Sequence, residues 1–448
     1  MNLKWIVSEP ENCWQQRTAA AADDTLAARR SRLVVTGLDA QTIKGFGGCF
    51  NELGHVALEK LSQADQDRAL AALFGDDGCR FSHCRIPIGA SDYALSWYSL
   101  CEADEDYALE SFSIERDRKR LIPYIKSARK VRPELTLFAS PWSPPVWMKT
   151  FQVYNHGVLR WEEPVLEAYA QYFRKFVGAY AAEGIPVTQV HVQNEPRSNQ
   201  KFPSCLWTGA KMRDFIRDWL GPLFKRENVP CEIWAGTIEK GILHGWEYDM
   251  VTSGTEDYAH WAHTILSDPE ARQYVAGIGY QWNGKGALAR TRAAFPEVPI
   301  MQTENECGDG RNTWGYAEYV FGLVWEYLTQ GAVAYTYWNM ILPEGGESTW
   351  GWKQNAMCTV TDDGDLVFNP EFFVMKHLTH AVRPGAVRLH VQGEWAAFSL
   401  AFRDPDGSVA IVCNNPLDAA HRLTLAVNGT TYAIELPPHS FHTLSIDV

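Results

Sequence analysis

Two glutamates in this chain, Glu195 and Glu304, stand where an apolar run stops. The run Val187-Thr188-Gln189-Val190-His191-Val192 gives way to Gln193-Asn194-Glu195-Pro196. A second run, Val298-Pro299-Ile300-Met301-Gln302-Thr303, gives way to Glu304-Asn305-Glu306. A β-branched run halted at a proline reads as a strand feeding a loop, because proline cannot donate to a ladder and forces its predecessor into extended geometry. Both carboxylates are thereby predicted at the carboxyl ends of strands, the edge of an α/β sheet or barrel where ligands bind. One such glutamate is what many strands present on leaving a core. Two in one barrel are the minimum equipment for cleaving a glycosidic bond.

The elements that must hold them fit the length. At 448 residues the chain exceeds one ordinary domain and suits an α/β barrel with a small companion. Candidate barrel strands are Ile43–Phe50, Arg80–Ile88, Thr136–Trp142, Val187–Asn194, Cys231–Thr237, Ala276–Trp282, Pro299–Glu304 and Ala332–Asn339. Most are short apolar runs without strict alternation, as expected of strands covered on both faces. Helical patterns lie between them. Ser62-Gln63-Ala64-Asp65 resembles a capping box before an apolar stripe of Leu70, Leu73 and Phe74. Ser113–Val131 is predicted helical with a kink at Pro123, and Glu167–Ala182, Ala210–Leu223 and Tyr316–Thr329 are predicted helices. Eight strand-then-helix units make a (β/α)8 TIM barrel.

After Pro384 the texture changes to short strands separated by turns such as Asp404-Pro405-Asp406-Gly407 and Asn428-Gly429, an antiparallel sandwich pattern. Leu3–Val7 and Ser31–Val35 also read as strands but have no barrel slot, so they are expected to join that sandwich. The predicted division is residues 1–38 for the N-terminal strands, 39–383 for the barrel and 384–448 for the C-terminal sandwich. No low-complexity linker separates them, which points to domains that pack together.

Composition narrows the function. With 46% hydrophobic and 21% charged residues, a large core can be buried. A net charge of −13 argues against a nucleic-acid partner. Eighteen tryptophans are many; indole faces cover sugar C–H patches, although they also fill cores. The ten cysteines form no CxxC pair or metal-ligand cluster, so reduced thiols, no metal and no organic cofactor are expected. No run reaches the length of a membrane span, and the N-terminus shows no apolar stretch long enough for a secretory signal. A cytoplasmic location is expected, with a processed export form as the alternative.

The loops after the strands are the most specific feature. In order they read Gly45-Phe46-Gly47-Gly48, Arg85-Ile86-Pro87-Ile88-Gly89-Ala90-Ser91-Asp92, Ala139-Ser140-Pro141-Trp142-Ser143-Pro144-Pro145-Val146-Trp147-Met148-Lys149, Asn194-Glu195-Pro196, Thr303-Glu304, and Trp338-Asn339 followed by Pro343-Glu344-Gly345-Gly346. This ordered set resembles glycoside hydrolase family 30, the family of lysosomal glucosylceramidase and its bacterial relatives, from about Gly45 to Pro384 and more loosely beyond. The resemblance implies a barrel flanked by a sandwich built from both chain ends. It also implies retaining hydrolysis of β-linked sugars by two glutamates, with Glu195 as general acid/base and Glu304 as nucleophile.

By the same resemblance Asn194 donates to the sugar 2-hydroxyl and Arg85 keeps the nucleophile ionised. Asp92, Trp142 and Asn355 hold hydroxyls of the terminal sugar, Trp282 is retained near it, and Trp338 supplies an aromatic floor. Trp147 is assigned to the core. Glu306 is the rival nucleophile. Relatives place a cysteine two residues after theirs, whereas here Cys307 follows Glu304 by three; Glu304 is preferred because it terminates the apolar run. Gly279-Tyr280-Gln281-Trp282-Asn283 lacks the histidine and tyrosine expected after strand six, leaving open what steadies the nucleophile from that side. Gly45-Phe46-Gly47-Gly48 lacks the Lys-Ser/Thr of a phosphate loop, and its glycines are expected to permit close packing.

The expected activity is an exo-acting β-glucosidase of the glucosylceramidase type, acting on a small or oligosaccharide β-glycoside or a glycolipid. The alternatives are β-1,6-glucanase, β-xylosidase or β-fucosidase within the same family. From another class, a non-catalytic carbohydrate-binding protein on the same scaffold is disfavoured by retention of both glutamates, Asn194 and Arg85.

Overall fold

The computed structural model describes residues 3–18, 20–21, 32–240 and 260–447. Eight parallel strands form the barrel: Gly45–Cys49, His83–Ile88, Thr136–Pro141, Val187–His191, Glu232–Ile238, Val275–Gln281, Ile300–Glu304 and Ala334–Asn339. Strands one to seven each pair with the next, and the eighth pairs with the first, Ala334 opposite Gly45. The seam between strands seven and eight is closed partly by side chains. Val333 N–H donates to Ile300 O (2.8 Å) and Asn305 N–H to Thr336 O (3.1 Å). The amides of Thr336 and Trp338 donate instead to Gln302 Oε1 (2.8 Å) and Asn305 Oδ1 (2.7 Å).

Almost every strand residue is buried, which is why these strands read as apolar runs. The first strand is built of small residues for a visible reason. A Cβ placed on Gly47 would stand 2.1 Å from His83 O, so only glycine lets strands one and two approach this closely.

The helices follow their sequence signals with one correction. Ser62 Oγ accepts from Asp65 N–H (3.2 Å) and caps Gln63–Phe74. The expected kinked helix over Ser113–Val131 is instead a short 3-10 turn, Asp117–Lys119, followed by a helix Leu121–Val131. Pro123 lies in that helix's first turn, where a missing N–H costs nothing, so it starts the helix and does not bend it.

The second domain is a ten-stranded sheet that shares one core between its two ends. Leu3–Glu9 pairs with Ser440–Ile446, and Arg32–Thr42 lies between Val387–Gln392 and His421–Val427. Trp5, Val7 and Leu444 meet Leu33, Leu425 and Ile434 in that core. The N-terminal strands thus belong to the sandwich, but the expected boundary at Leu38 is too early. The strand runs on to Thr42, because Val387 pairs with Thr42 and Leu389 with Asp39. Ser31, expected to open this strand, lies outside the described residues.

Period-two alternation buries both faces of two sandwich strands. Ala401, Val409, Ile411 and Cys413 face the sandwich core, while Leu400, Phe402, Ala410 and Val412 join the barrel's core. Polar contacts reinforce the junction. His377, on the helix Pro370–Thr379, reaches Ser8 Oγ (2.8 Å) and Thr443 Oγ1 (2.9 Å).

Candidate active site

The centre of the site is Arg85, in the middle of strand two and fully enclosed. Its guanidinium donates to Glu304 Oε2 at 2.5 Å, to Asn194 Oδ1 at 2.6 Å and to Ser140 Oγ at 2.7 Å. One group thereby ties strand two to the ends of strands three, four and seven. The charge lies against two indoles, 4.5 Å from the centroid of Trp142 and 5.5 Å from that of Trp338.

Gln281 ends strand six directly opposite Glu304 in register. Its amide nitrogen approaches Asn194 Oδ1 (2.8 Å), Glu304 Oε2 (3.0 Å) and Thr237 Oγ1 (3.1 Å). Gln281 is thus the strand-six residue that contacts Glu304, where the sequence left the contact open. Asn194 Oδ1 thus faces Arg85, Gln281 and Thr237. Its Nδ2, without a protein partner among the described residues, is the atom left for a substrate hydroxyl.

Glu195 departs from regular backbone, with φ +42°, a left-handed conformation that costs a non-glycine residue about 1–3 kcal/mol and is tolerated where function demands it. Its amide donates to Thr237 O (3.1 Å), and its carbonyl accepts from Ser198 N–H (2.9 Å). The turn is also pinned by Glu239, just beyond strand five. The Oε1 atom of Glu239 accepts from Arg197 N–H (3.1 Å) and Ser198 Oγ (3.0 Å).

Glu195, Glu304, Asp92, Trp142 and Trp282 line one cavity of about 180 Å³. Gln200, Phe202 and Trp352 also line it. Glu306, the rival nucleophile, reaches this cavity too, but its carboxylate accepts from the Tyr319 hydroxyl at 2.5 Å. Glu304 is the carboxylate held by Arg85.

Three expected sugar-binding residues do not line that cavity: Asn194, held by Arg85 and Gln281, together with Asn355 and Trp338. Asn355 does not line the cavity; its amide donates to Glu371 Oε1 (2.6 Å), and its oxygen accepts from the amides of Gly310 (2.8 Å) and Asn312 (3.3 Å). It clamps the loop after strand seven. Its neighbour Gln354 faces the cavity instead. Trp338, expected as the floor, is fully enclosed and stacks 5.4 Å from Trp142, which is the indole that meets the cavity.

A chain of amides with no signal in the sequence runs to Gln354 at the cavity wall, where Asp92 also stands. Asn51 caps the helix Glu52–Lys60 with its oxygen and donates through Nδ2 to Asn339 Oδ1 (3.1 Å). Asn339 Nδ2 donates to Gln354 Oε1 (2.8 Å), and Gln354 and Asp92 both line the cavity. Asp92 Oδ1 is buried without a partner among the described residues, so it is free for a sugar hydroxyl.

The two glutamates differ in what surrounds them. Burial raises both above the ordinary carboxylate range, but Arg85 pulls Glu304 back down. No cation among the described residues lowers Glu195 in this way; burial and the charges of Glu304, Glu239 and Asp92 raise it well above normal. Glu304 therefore ionises first and Glu195 keeps its proton, the division of labour that a two-carboxylate glycosidase needs.

Asp92 is pushed up to about 8 by burial and by the charge of Glu304. A carboxyl raised on folding stabilises the fold below its unfolded value of about 4, and that stability is lost as pH rises through the folded value. Thermal unfolding of the free protein should therefore shift to lower temperature between about pH 4 and pH 8, and Asp92→Asn should flatten the slope. Parallel Tm–pH curves for the two proteins would rule this out.

Comparison with known proteins gives the following. Residues 43–382 match the glycosyl hydrolase family 30 TIM-barrel domain, and residues 385–444 match the family's beta sandwich domain. The chain is 29% identical over 442 residues to putative glucosylceramidase 1 of Caenorhabditis elegans, covering 91% of this chain and 81% of that protein. It is 28% identical over 434 residues to lysosomal acid glucosylceramidase of Mus musculus, covering 90% and 81%. Among solved structures, the endo-beta1,6-glucanase BT3312 superposes with a TM-score of 0.86 at 23% identity, covering 99% of each chain.

Proposed function

The chain belongs to glycosyl hydrolase family 30 and is a glycoside hydrolase, and from that premise we propose that it is a retaining, exo-acting β-glucosidase of the glucosylceramidase type. The observation that carries the mechanism is the split environment of the two glutamates: Arg85 and Gln281 donate to Glu304, while the partly buried Glu195 pairs with no cation among the described residues.

Glu195 delivers its proton to the glycosidic oxygen as Glu304 attacks the anomeric carbon; the C–O bond to the aglycone breaks and a glycosyl ester forms on Glu304. Asn194 Nδ2 donates to the 2-hydroxyl, a bond that strengthens as positive charge develops on the ring. Glu195, now ionised, takes a proton from water. The resulting hydroxide equivalent attacks the anomeric carbon, the ester bond breaks, and Glu304 leaves as the carboxylate.

Exo action is supported by Asp92, whose unpartnered buried oxygen at the cavity suits it to hold a hydroxyl of a terminal sugar. The likeness to glucosylceramidases supports glucose as that sugar and a glycolipid, such as a sphingolipid glucoside, as the substrate. One observation favours a β-1,6-glucanase as the second reading. Trp352, half-exposed at the cavity, lies 5.1 Å from Trp350 at an interplanar angle of 49° and offers an indole face to a second sugar ring.

A panel decides between them: aryl β-glucoside, β-xyloside and β-fucoside differing only in the sugar, with glucosylceramide and a β-1,6-linked glucan. The expected order is aryl β-glucoside and glucosylceramide above all others, with glucose as the product. Faster cleavage of the xyloside or fucoside would replace the sugar assignment, and internal cuts in the glucan would replace exo action. A reducing, cytoplasmic location is part of the proposal, supported by ten cysteines that form no disulfide, most of them buried. Recovery from an export compartment in cell fractionation would contradict it.

A further inference from the structure

Strands four and eight stand opposite each other in the barrel, yet the loops that follow them touch across its mouth. The loop after strand eight carries a hairpin over residues 346–354. In it Glu347 pairs with Lys353, and Ser348 N–H donates to Trp352 O at 2.7 Å. Trp350 sits at the hairpin's tip. Its indole meets the ring of Phe202, from the loop after strand four, with centroids 5.2 Å apart, a separation at which aromatic rings attract.

Both halves of this bridge are braced. The Tyr93 hydroxyl donates to Gly346 O (2.7 Å) and Thr349 Oγ1 to Ala94 O (3.0 Å), which ties the hairpin to the loop after strand two. On the other side stands Lys149, from the loop after strand three and fully enclosed. Its ammonium donates to Ser204 O (2.6 Å), Tyr154 O (2.8 Å) and Ser143 Oγ (3.1 Å). A buried ammonium is costly unless its protons are bonded. Here all three protons go to holding loop three against loop four, two residues from Phe202.

The bridge lies on one particular side of the cavity. Phe202 shares an apolar cluster with Tyr93, Trp142 and Trp338, and Trp350 packs against that cluster. Tyr93 adjoins Asp92, and Asp92 and Trp142 are the cavity residues set to hold the terminal sugar. Toward strands six and seven the described lining is Trp282, Glu306 and Gly308, and that side is left for the aglycone. We propose that the Phe202–Trp350 bridge is the specificity-determining wall of the site. It ends the cleft just beyond the terminal sugar, so that the pocket takes one ring and rejects a chain that continues past it.

The inference rests on the exo reading, and the parent enzyme separates the two. The probes are a nitrophenyl β-glucoside and nitrophenyl β-disaccharides whose second glucose is joined 1→3, 1→4 or 1→6 to the first. Cutting the nitrophenyl bond of a disaccharide frees the intact disaccharide, and it requires room for a second ring beyond the first. The parent is expected to cleave the glucoside and to free almost no intact disaccharide. Trp350→Ala and Phe202→Ala should each free it from at least one probe. The yield per glucoside cleaved should rise about tenfold or more over the parent. Intact disaccharide from the parent, at a rate comparable to glucoside cleavage, would overturn the exo reading and the wall with it. A parent that frees none, with alanine variants that match it, would overturn the wall alone. Trp350 lies between exposed Thr349 and Gly351, so Trp350→Ala decides if Phe202→Ala does not fold: an unchanged product pattern overturns the proposal.

Discussion

Replacing Glu304 by glycine should abolish turnover of every β-glucoside, whatever its leaving group, by a factor on the order of 10⁴–10⁶. The reason is that no other carboxylate can take its place at the anomeric carbon. Glu304 is the one held by Arg85 at 2.5 Å and by Gln281 at 3.0 Å, so it is ionised and aimed before substrate arrives. Glu306, two residues on, has its carboxylate on the Tyr319 hydroxyl. Added azide should enter the vacated space and attack an activated substrate from the nucleophile's side, giving an α-glycosyl azide. Residual activity above a hundredth of the parent, or no difference between Glu304→Gly and Glu306→Gly, would reassign the nucleophile.

Glu195→Ala should behave in the opposite way, sparing activated substrates and crippling the rest. A nitrophenolate leaves without a proton, so the first step survives for it. An alkyl glucoside must have its oxygen protonated and loses the proton-transfer factor of about 10²–10⁴. Deglycosylation has lost its base in either case, so an activated substrate should give a burst followed by slow turnover. Azide needs no general base; it should raise the slow rate and yield a β-glycosyl azide, the anomer opposite to that from Glu304→Gly. Equal losses on both leaving-group types without azide rescue would show that Glu195 is not the acid/base.

Much of this site was legible because strand ends carry strong local signals. Glu195 and Glu304 each terminate an apolar run, and barrel closure brings such termini to one mouth. The roles of Arg85 and Asn194 came from the family resemblance. Gln281 was within reach, since it ends strand six opposite Glu304 in register, but an amide in place of an expected histidine carried no sign of its role. The residues misplaced or missed depend on loops. Whether Asn355 or Gln354 faces the cavity is decided by how the 308–312 loop folds over it, which Asn355 itself fixes by accepting two of that loop's amides. Glu239 lies in a stretch with no motif and becomes meaningful only where strand five sets it against the turn after Glu195. The sandwich boundary slipped because pairing, not composition, ends a strand: Thr42 stays in the sheet because Val387 lies opposite it.

The central claim, that Glu304 forms a covalent glycosyl ester while Glu195 serves as its acid/base, can be tested on the unaltered protein. A 2-deoxy-2-fluoro-β-glucoside with an activated leaving group should inactivate it. The fluorine destabilises both transition states, and the good leaving group restores only the first step. Proteolysis and mass spectrometry of the inactivated enzyme should then place one fluoroglucosyl group on the peptide carrying Thr303-Glu304-Asn305-Glu306, with fragmentation assigning it to Glu304. A label on Glu306 or Glu195, or none despite turnover of the parent glucoside, would contradict the account.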